Sequence, residues 1–293
     1  KTLQKPIFKH VKEVLINGNF GDIVMHPKPK EIIETFLKRD LEIKINTNGG
    51  ALSKEFWKWL GSISSQITVT FAIDGLEDTH HLYRRNTNFQ TVIRNAQNFI
   101  SAGGKAIWIM TKFDHNKHQM KSCKDLAKQY NFSDFKVRLN FGRNGIVSVK
   151  DKNFQHQYYI DDNKSKQITD FSSDQYIQGL DNYLENWSPQ ELKYENNNKI
   201  NCHVKNYSIF LSYDKRLWPC CWTAQNYTLE NNGQLTPDLR QIYKDYEEKD
   251  KDFNNVLVHS PSKILKNLKR FSRLSQSWDT NQPCITCQNT CGV

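Results

Sequence analysis

Three cysteines fall in the last ten residues of this 293-residue chain, Cys284, Cys287 and Cys291, within the run PCITCQNTCGV. Cys220 and Cys221 stand side by side in LWPCCW, and Cys202 precedes them. Six of the seven cysteines therefore lie in the final third. Four thiolates brought together are what tetrahedral zinc or an iron–sulfur cluster requires. Secreted disulfide scaffolds also gather cysteines, but they are short, and this chain shows no apolar signal segment. Two adjacent cysteines cannot easily bind one iron site, so one of Cys220 and Cys221 is expected to be spare. The seventh, Cys123, shares a helical stripe with Met120, Leu126, Ala127 and Tyr130, which predicts a buried thiol and not a ligand.

The elements that must position this chemistry are legible from residue 12 to about 142. Runs rich in β-branched residues predict strands at Glu13–Ile16, Glu42–Ile45, Ile67–Ile73, Ala106–Thr111 and Phe135–Leu139. Helical periodicity fills the gaps at Lys30–Lys38, Ser53–Leu60, Phe89–Ala102 and Lys117–Tyr130. A repeated βα unit of this kind calls for a parallel sheet with right-handed crossovers, either open and doubly wound or part of a barrel. In both cases function gathers at the carboxyl ends of the strands. The residues there are Asn17 to Asp22 (NGNFGD), Asn46 to Gly50 (NTNGG), Asp74-Gly75, and Lys112 to Asn116 (KFDHN). Turn chemistry explains Asn, Gly and Asp in any single loop; four such loops at successive strand ends point to a polar ligand pocket. Asp78-Thr79 reads as a helix cap that places His80-His81 on a helix surface.

Residues 146–200 are polar and read as a linker with one helix near Ser173–Trp187. Residues 201–293 form the cysteine region. An alternating strand at Tyr207–Tyr213 and a turn at Asp214-Lys215 lead to a second short strand ending at Pro219-Cys220, a hairpin that would return Cys202 toward Cys220 and Cys221. A helix at Pro261–Arg273 would then deliver the terminal cysteines.

The net charge is +10, from 41 Lys and Arg against 31 Asp and Glu. Acids and bases are interleaved, however, and the one dense run (KILKNLKRFSR) carries Ile264, Leu265, Leu268 and Phe271 on one face, as an amphipathic helix does. A nucleic-acid partner is therefore disfavoured and an anionic substrate mildly favoured. No segment approaches the roughly 20 apolar residues of a membrane span. There is no GxSxG, and the nine histidines form no HExxH pair. A thiol-rich chain without a signal peptide fits a reducing cytoplasm.

Taken in order, the segments INGNFGDIVMHP, KINTNGG, VTFAIDGLEDTHHLYRRNTNFQTVIRNAQNFISAG, YDKRLWPCC and the CxxCxxxCG terminus resemble the radical S-adenosylmethionine (AdoMet) enzymes. The likeness is to members with a C-terminal SPASM or shorter twitch domain. The resemblance implies an α/β fold, a partial parallel (βα) barrel truncated at its amino end over 1–145, and a SPASM/twitch-like auxiliary cluster domain over 201–293. By motif position, Gly21 and Asp22 would stand where the family holds the amino group of the methionine moiety. Asn46 and Asn48 would face the same ligand, Asp74 and Arg84 would serve the ribose and carboxylate, and Lys112 to His115 would close the adenine side. The auxiliary 4Fe–4S cluster would be held by Cys202, Cys220, Cys287 and Cys291, with Cys221 and Cys284 as alternates. In complete form such an enzyme uses a second 4Fe–4S cluster and an electron donor such as flavodoxin or ferredoxin. It cleaves AdoMet reductively and abstracts a hydrogen atom from a peptide, protein or small molecule.

Two departures stand out. Lys215 occupies the place of a glycine in the family's cluster domain. The defining CxxxCxxC is missing too, since no cysteine precedes Cys123; with intact pocket loops this reads as truncation rather than decay. The competing readings are a zinc-bearing nucleic-acid-binding module, suggested by the charge and by Trp218, Trp222 and Tyr227 around the cysteines, and a catalytically inert binding protein that kept the fold.

Overall fold

The β-branched runs form the five strands of one parallel sheet: β1 (Glu13–Ile16), β2 (Glu42–Thr47), β3 (Ile67–Ala72), β4 (Lys105–Lys112) and β5 (Asp134–Leu139). Between them lie α1 (Pro29–Leu37), α2 (Lys54–Ser62), α3 (Glu77–Tyr83), α4 (Phe89–Ser101) and α5 (Met120–Gln129). The computed structural model describes residues 11–18, 21–63, 65–139, 146–151, 155–161, 168–169, 208–228, 237–269, 272–278 and 287. They belong to two units, one within residues 11–187 and one within 188–293.

The strand order is β1-β2-β3-β4-β5, each paired in parallel with the next. Every crossover therefore steps the same way, and the right-handed rule puts the connecting helices on one face. A doubly wound sheet needs a reversal of strand order, which these strands lack; the arrangement is that of a barrel wall. Side chains obey it by alternation. Ile43 and Ile45, then Ile67, Val69 and Phe71, then Ala106, Trp108 and Met110 are buried on the helix-covered face. Lys44 lies on the opposite face, ion-paired with Glu13. Cys123 is fully buried in the same core, as its helical stripe predicts.

Two buried indoles tie the core to the site edge. Trp57 donates to Ala51 O at 3.0 Å, and Trp108 to Ile73 O at 2.8 Å. Ile73 also extends the ladder past β3 through its N–H to Ile109 O at 3.0 Å. Trp108→Phe keeps an aromatic in place but strands a buried carbonyl beside Asp74, so a loss of about 1–3 kcal/mol is expected in urea unfolding.

The stretch read as a linker contains an antiparallel sheet of β6 (Ile146–Lys150), β7 (His156–Asp161) and β8 (Ile168–Thr169). Its apolar alternation, Val147 and Val149 against Tyr158 and Ile160, is hidden in a polar composition. Val149 and Ile160 pack with Phe113 and Tyr83, so this sheet covers the β4 side of the barrel's carboxyl edge. Tyr158 locks it down by donating its hydroxyl to Leu82 O. The helix expected at 173–187 lies outside the described residues.

In the other unit the expected hairpin is present in shorter form, β9 (Phe210–Leu211) against β10 (Leu217–Trp218). α6 (Cys221–Thr228), α7 (Pro237–Lys249), α8 (Pro261–Asn267) and α9 (Ser272–Ser277) follow. The helix predicted over 261–273 is two helices, because Lys269 adopts φ +46°, a left-handed geometry that ends the first. Ile264 and Leu268 are buried as the amphipathic pattern predicts, while Lys263, Lys266 and Lys269 are exposed. Arg216 stitches the hairpin to the turn before α8, donating to Lys251 O at 3.0 Å and Asn254 Oδ1 at 2.8 Å.

At the hairpin turn Lys215 has φ +68°. That is a left-handed conformation, which costs an L-residue roughly 1–2 kcal/mol and glycine almost nothing. The lysine therefore holds this turn under strain. Lys215→Gly is expected to stabilise this unit by up to about 1 kcal/mol, since glycine's extra chain entropy offsets part of the relief; thermal unfolding checks it.

Candidate functional site

Because all five strands are parallel, the loops after β1 to β4 converge on one edge. The loop after β1 is pinned by Asp22. Its Oδ1 accepts from Val24 N at 3.2 Å and caps the 3-10 turn Ile23–Met25. Its Oδ2 accepts from Thr47 Oγ1 at 2.9 Å and Asn48 N at 2.7 Å. Three of about four lone-pair directions are occupied, leaving room for one further donor. Gly21 beside it has φ +145°, and a Cβ there would meet nothing within 4 Å. The glycine serves backbone conformation there, with no neighbour to avoid.

After β2, Asn48 folds back to accept Gly50 N at 2.9 Å. Buried Asn95, from α4, donates to Gly49 O at 2.8 Å and holds the loop from below. Asn46 sits apart from this network and donates to Asn17 Oδ1 at 3.2 Å.

After β3 comes Asp74, wholly buried. Its Oδ2 accepts from Arg84 Nε at 2.6 Å and its Oδ1 from Thr111 N at 2.5 Å. Asn116, also buried, donates to Asp74 O at 3.3 Å and Thr111 O at 3.0 Å. A carboxylate so enclosed does not meet a ligand directly; it fixes Arg84. The guanidinium lies 5.0 Å over the Tyr83 ring, and its Nη groups have no hydrogen-bond partner among the described residues. Burial works against the charge of Arg84, but Asp74, with Tyr83 and Asp22 behind it, raises its pKa above the ordinary arginine value. Asp22, Asn48, Asp74 and Arg84 are thus brought into one constellation; Asn46 borders it.

Sequence reasoning missed the groups that hold this constellation. His80 is buried and not on a helix surface: Asp74 N donates to its Nδ1 at 3.2 Å, and its Nε2 lies 2.9 Å from Thr87 Oγ1. Only His81 of that pair is exposed. Nor does Asp78-Thr79 cap α3. The N-cap is Leu76, whose N–H donates to Gln119 Oε1 at 2.9 Å, and Gln119 also binds Asp78. His115, in the loop after β4, stacks on Phe113, and both its ring nitrogens are buried without a hydrogen-bond partner among the described residues.

Burial lowers the pKa of His80, and likewise that of His115, to about 4. Asp74 opposes that shift but does not reverse it. The folded state keeps His80 neutral while the unfolded chain takes up a proton below about pH 6.5. The fold therefore has full stability from His80 above that pH and loses it as pH falls toward 4. Between pH 7 and 5 the loss from His80 alone is expected to be about 2 kcal/mol. Urea midpoints at the two pH values check this, and His80→Asn should remove its share of the difference, leaving that of His115.

The cysteines are only partly placed. Cys220 immediately precedes α6 and takes the role of its cap: Thr223 N donates to Cys220 Sγ at 3.4 Å, and Thr223 Oγ1 lies 3.2 Å away. Burial pushes the Cys220 thiol up; Thr223 opposes this, and the Cys221 and Cys287 thiols add to it. Cys287 is buried. Cys202, Cys284 and Cys291 lie outside the described residues. Among the described residues no three His, Cys, Asp or Glu side chains compose a metal site. No described helix is long and apolar enough to cross a membrane.

No family model matches the sequence, and comparison with curated proteins finds no match. Solved structures do match in fold. Hexahistidine-tagged anSMEcpe with bound AdoMet aligns at TM-score 0.50 and 14% identity, covering 96% of this chain and 71% of that one. Native anSMEcpe with bound AdoMet and the Kp18Cys peptide aligns at TM-score 0.49 and 13% identity over 92% and 70%. Streptococcus suis SuiB aligns at 0.44 and 12% over 72% of this chain and 50% of that one, so the chain spans about half the length of SuiB. The shared property is the fold.

Proposed function

We propose that residues 11–139 form the AdoMet seat of a radical AdoMet enzyme and that the C-terminal cysteines hold an auxiliary iron–sulfur cluster. The observation that carries the reading is the Arg84 fork. Its Nε is pinned by a buried carboxylate and its Nη donors are open at the carboxyl edge of a parallel sheet, with Asp22 close enough to act on its charge. An amino acid moiety presents a carboxylate and an ammonium together, and this pair answers both: Arg84 receives the carboxylate, and the last open direction on Asp22 receives the ammonium. Asn48 keeps Asp22 oriented, and Asp74 keeps Arg84 oriented. The fold likeness to an AdoMet-bound chain supports the assignment.

The cofactor supplies, on reduction, the oxidising power to break an unactivated C–H bond; the protein's share is to bind, orient and exclude water. The cysteine triad for the cleaving cluster is not among these 293 residues. Hydrogen abstraction is accordingly proposed for a polypeptide that carries such a triad in addition. Its substrate would be a peptide, protein or small molecule, and a flavodoxin or ferredoxin would supply electrons. For the auxiliary cluster, half-buried Cys220 and buried Cys287 are the described members of the preferred set, with Cys202 and Cys291 completing it and Cys221 and Cys284 as alternates.

Calorimetry with AdoMet tests the seat. One site per chain is expected, and Arg84→Gln should weaken it at least tenfold by removing a charge-assisted bidentate contact. Decarboxylated AdoMet should bind both proteins equally. Equal loss for both ligands would contradict the assigned role of Arg84, and no binding by the wild type would remove the seat itself.

A further inference from the structure

We propose that His80 is a positioning residue that couples the two loops holding AdoMet, through a one-way chain of hydrogen bonds available only to its neutral Nε2–H form. The inference rests on the AdoMet reading above for its effect on affinity, and on geometry alone for the chain itself. The Asp74 backbone N–H can only donate, so the His80 Nδ1 it meets at 3.2 Å must accept. The ring proton then sits on Nε2 and is donated to Thr87 Oγ1 at 2.9 Å. Thr87 sends its own hydroxyl proton to Arg84 O at 3.3 Å. The chain thus begins at the backbone of one member of the Asp74–Arg84 pair and ends at the backbone of the other.

Thr87 also reaches the second loop. A Cβ added at Gly50 would lie 2.6 Å from Thr87 Cγ2, so the glycine is what lets the loop after β2 press against this threonine. Gly50 is bonded to Asn48, and Asn48 to Asp22. One side chain therefore bridges the ammonium-side and carboxylate-side loops. The charged groups facing His80 are Asp74 and Arg84, with His81 on its own helix, and Phe89 from α4 closes the remaining side edge-on at 6.1 Å. A protonated His80 would set a second N–H against the Asp74 N–H and undo the chain at its first link.

Two measurements on the full chain decide it. Ring-nitrogen NMR at pH 7 should show His80 as the neutral Nε2–H tautomer; an Nδ1–H tautomer or an imidazolium overturns the chain. Thr87→Val keeps the shape and removes the hydroxyl. It should weaken AdoMet by about 5- to 10-fold, the scale of one hydrogen bond, and shift the Asp74 and Gly50 amide signals together. Thr87→Ser, which keeps the hydroxyl but lacks Cγ2, should restore the affinity and the Asp74 signal and leave the Gly50 signal shifted. Unchanged affinity in Thr87→Val, or movement in that variant of one loop's signals without the other, overturns the coupling. Should wild-type protein fail to bind AdoMet, the cofactor reading falls, while the tautomer and the paired amide shifts still decide the relay.

Discussion

Asp74→Ala is expected to cost about 3 kcal/mol of stability and to abolish measurable AdoMet binding. The carboxylate is fully enclosed and serves two donors, Arg84 Nε and Thr111 N. Removing it leaves a buried amide without an acceptor and a guanidinium without its counter-ion. Breaking a buried pair from one side commonly costs about 3–5 kcal/mol; the lower end applies because the Arg84 side chain retains 22% exposure and can recover some hydration. Asp74→Asn keeps an acceptor for Thr111 and loses only the charge, so it should cost about half as much. Chemical denaturation gives the stabilities. Alanine and asparagine variants of equal stability would mean that the carboxylate's charge plays no part in holding Arg84.

The second large effect belongs to the cysteine pair. Cys220→Ser is expected to lower bound iron at least tenfold after anaerobic reconstitution, whereas Cys221→Ser should retain it. The two residues differ by one position and also in setting, since Cys220 precedes α6 and Cys221 is its first residue. Cys220 sits at the amino end of α6, where Thr223 N–H points at its sulfur and offsets part of the burial that raises its thiol pKa. Because metal binding free energy becomes folding free energy, the serine at 220 should also lower the melting temperature of the C-terminal unit. Colourless protein containing zinc and no sulfide would instead favour the zinc-module reading, and reversed behaviour of the two variants would move the ligand to Cys221.

The barrel strands were legible because burial against the helices and short length leave β-branched runs with clear edges. β1 has the predicted bounds, and β2 to β5 differ by one or two residues. The polar loops announced themselves through Asn, Gly and Asp. His80 did not, because a His-His pair on a short helix looks solvated until α4 and the loop after β3 close over it. Gln119 was equally silent, since its partners Leu76 and Asp78 lie about forty residues away in sequence. The sheet of β6 to β8 was masked by the charged and amide residues interleaved with its apolar ones. The break between α8 and α9 depends on one backbone angle at Lys269, a position where lysine gives no local warning.

The most direct test of the account is an amide NMR titration of the chain with AdoMet. Saturable shifts are predicted for the amides of Asn48, Gly50, Asp74 and Thr111, which lie on three different strand ends and move together only if one ligand bridges them. A well-folded spectrum in which those four signals stay fixed at saturating AdoMet, or in which shifts cluster elsewhere, would contradict the AdoMet seat.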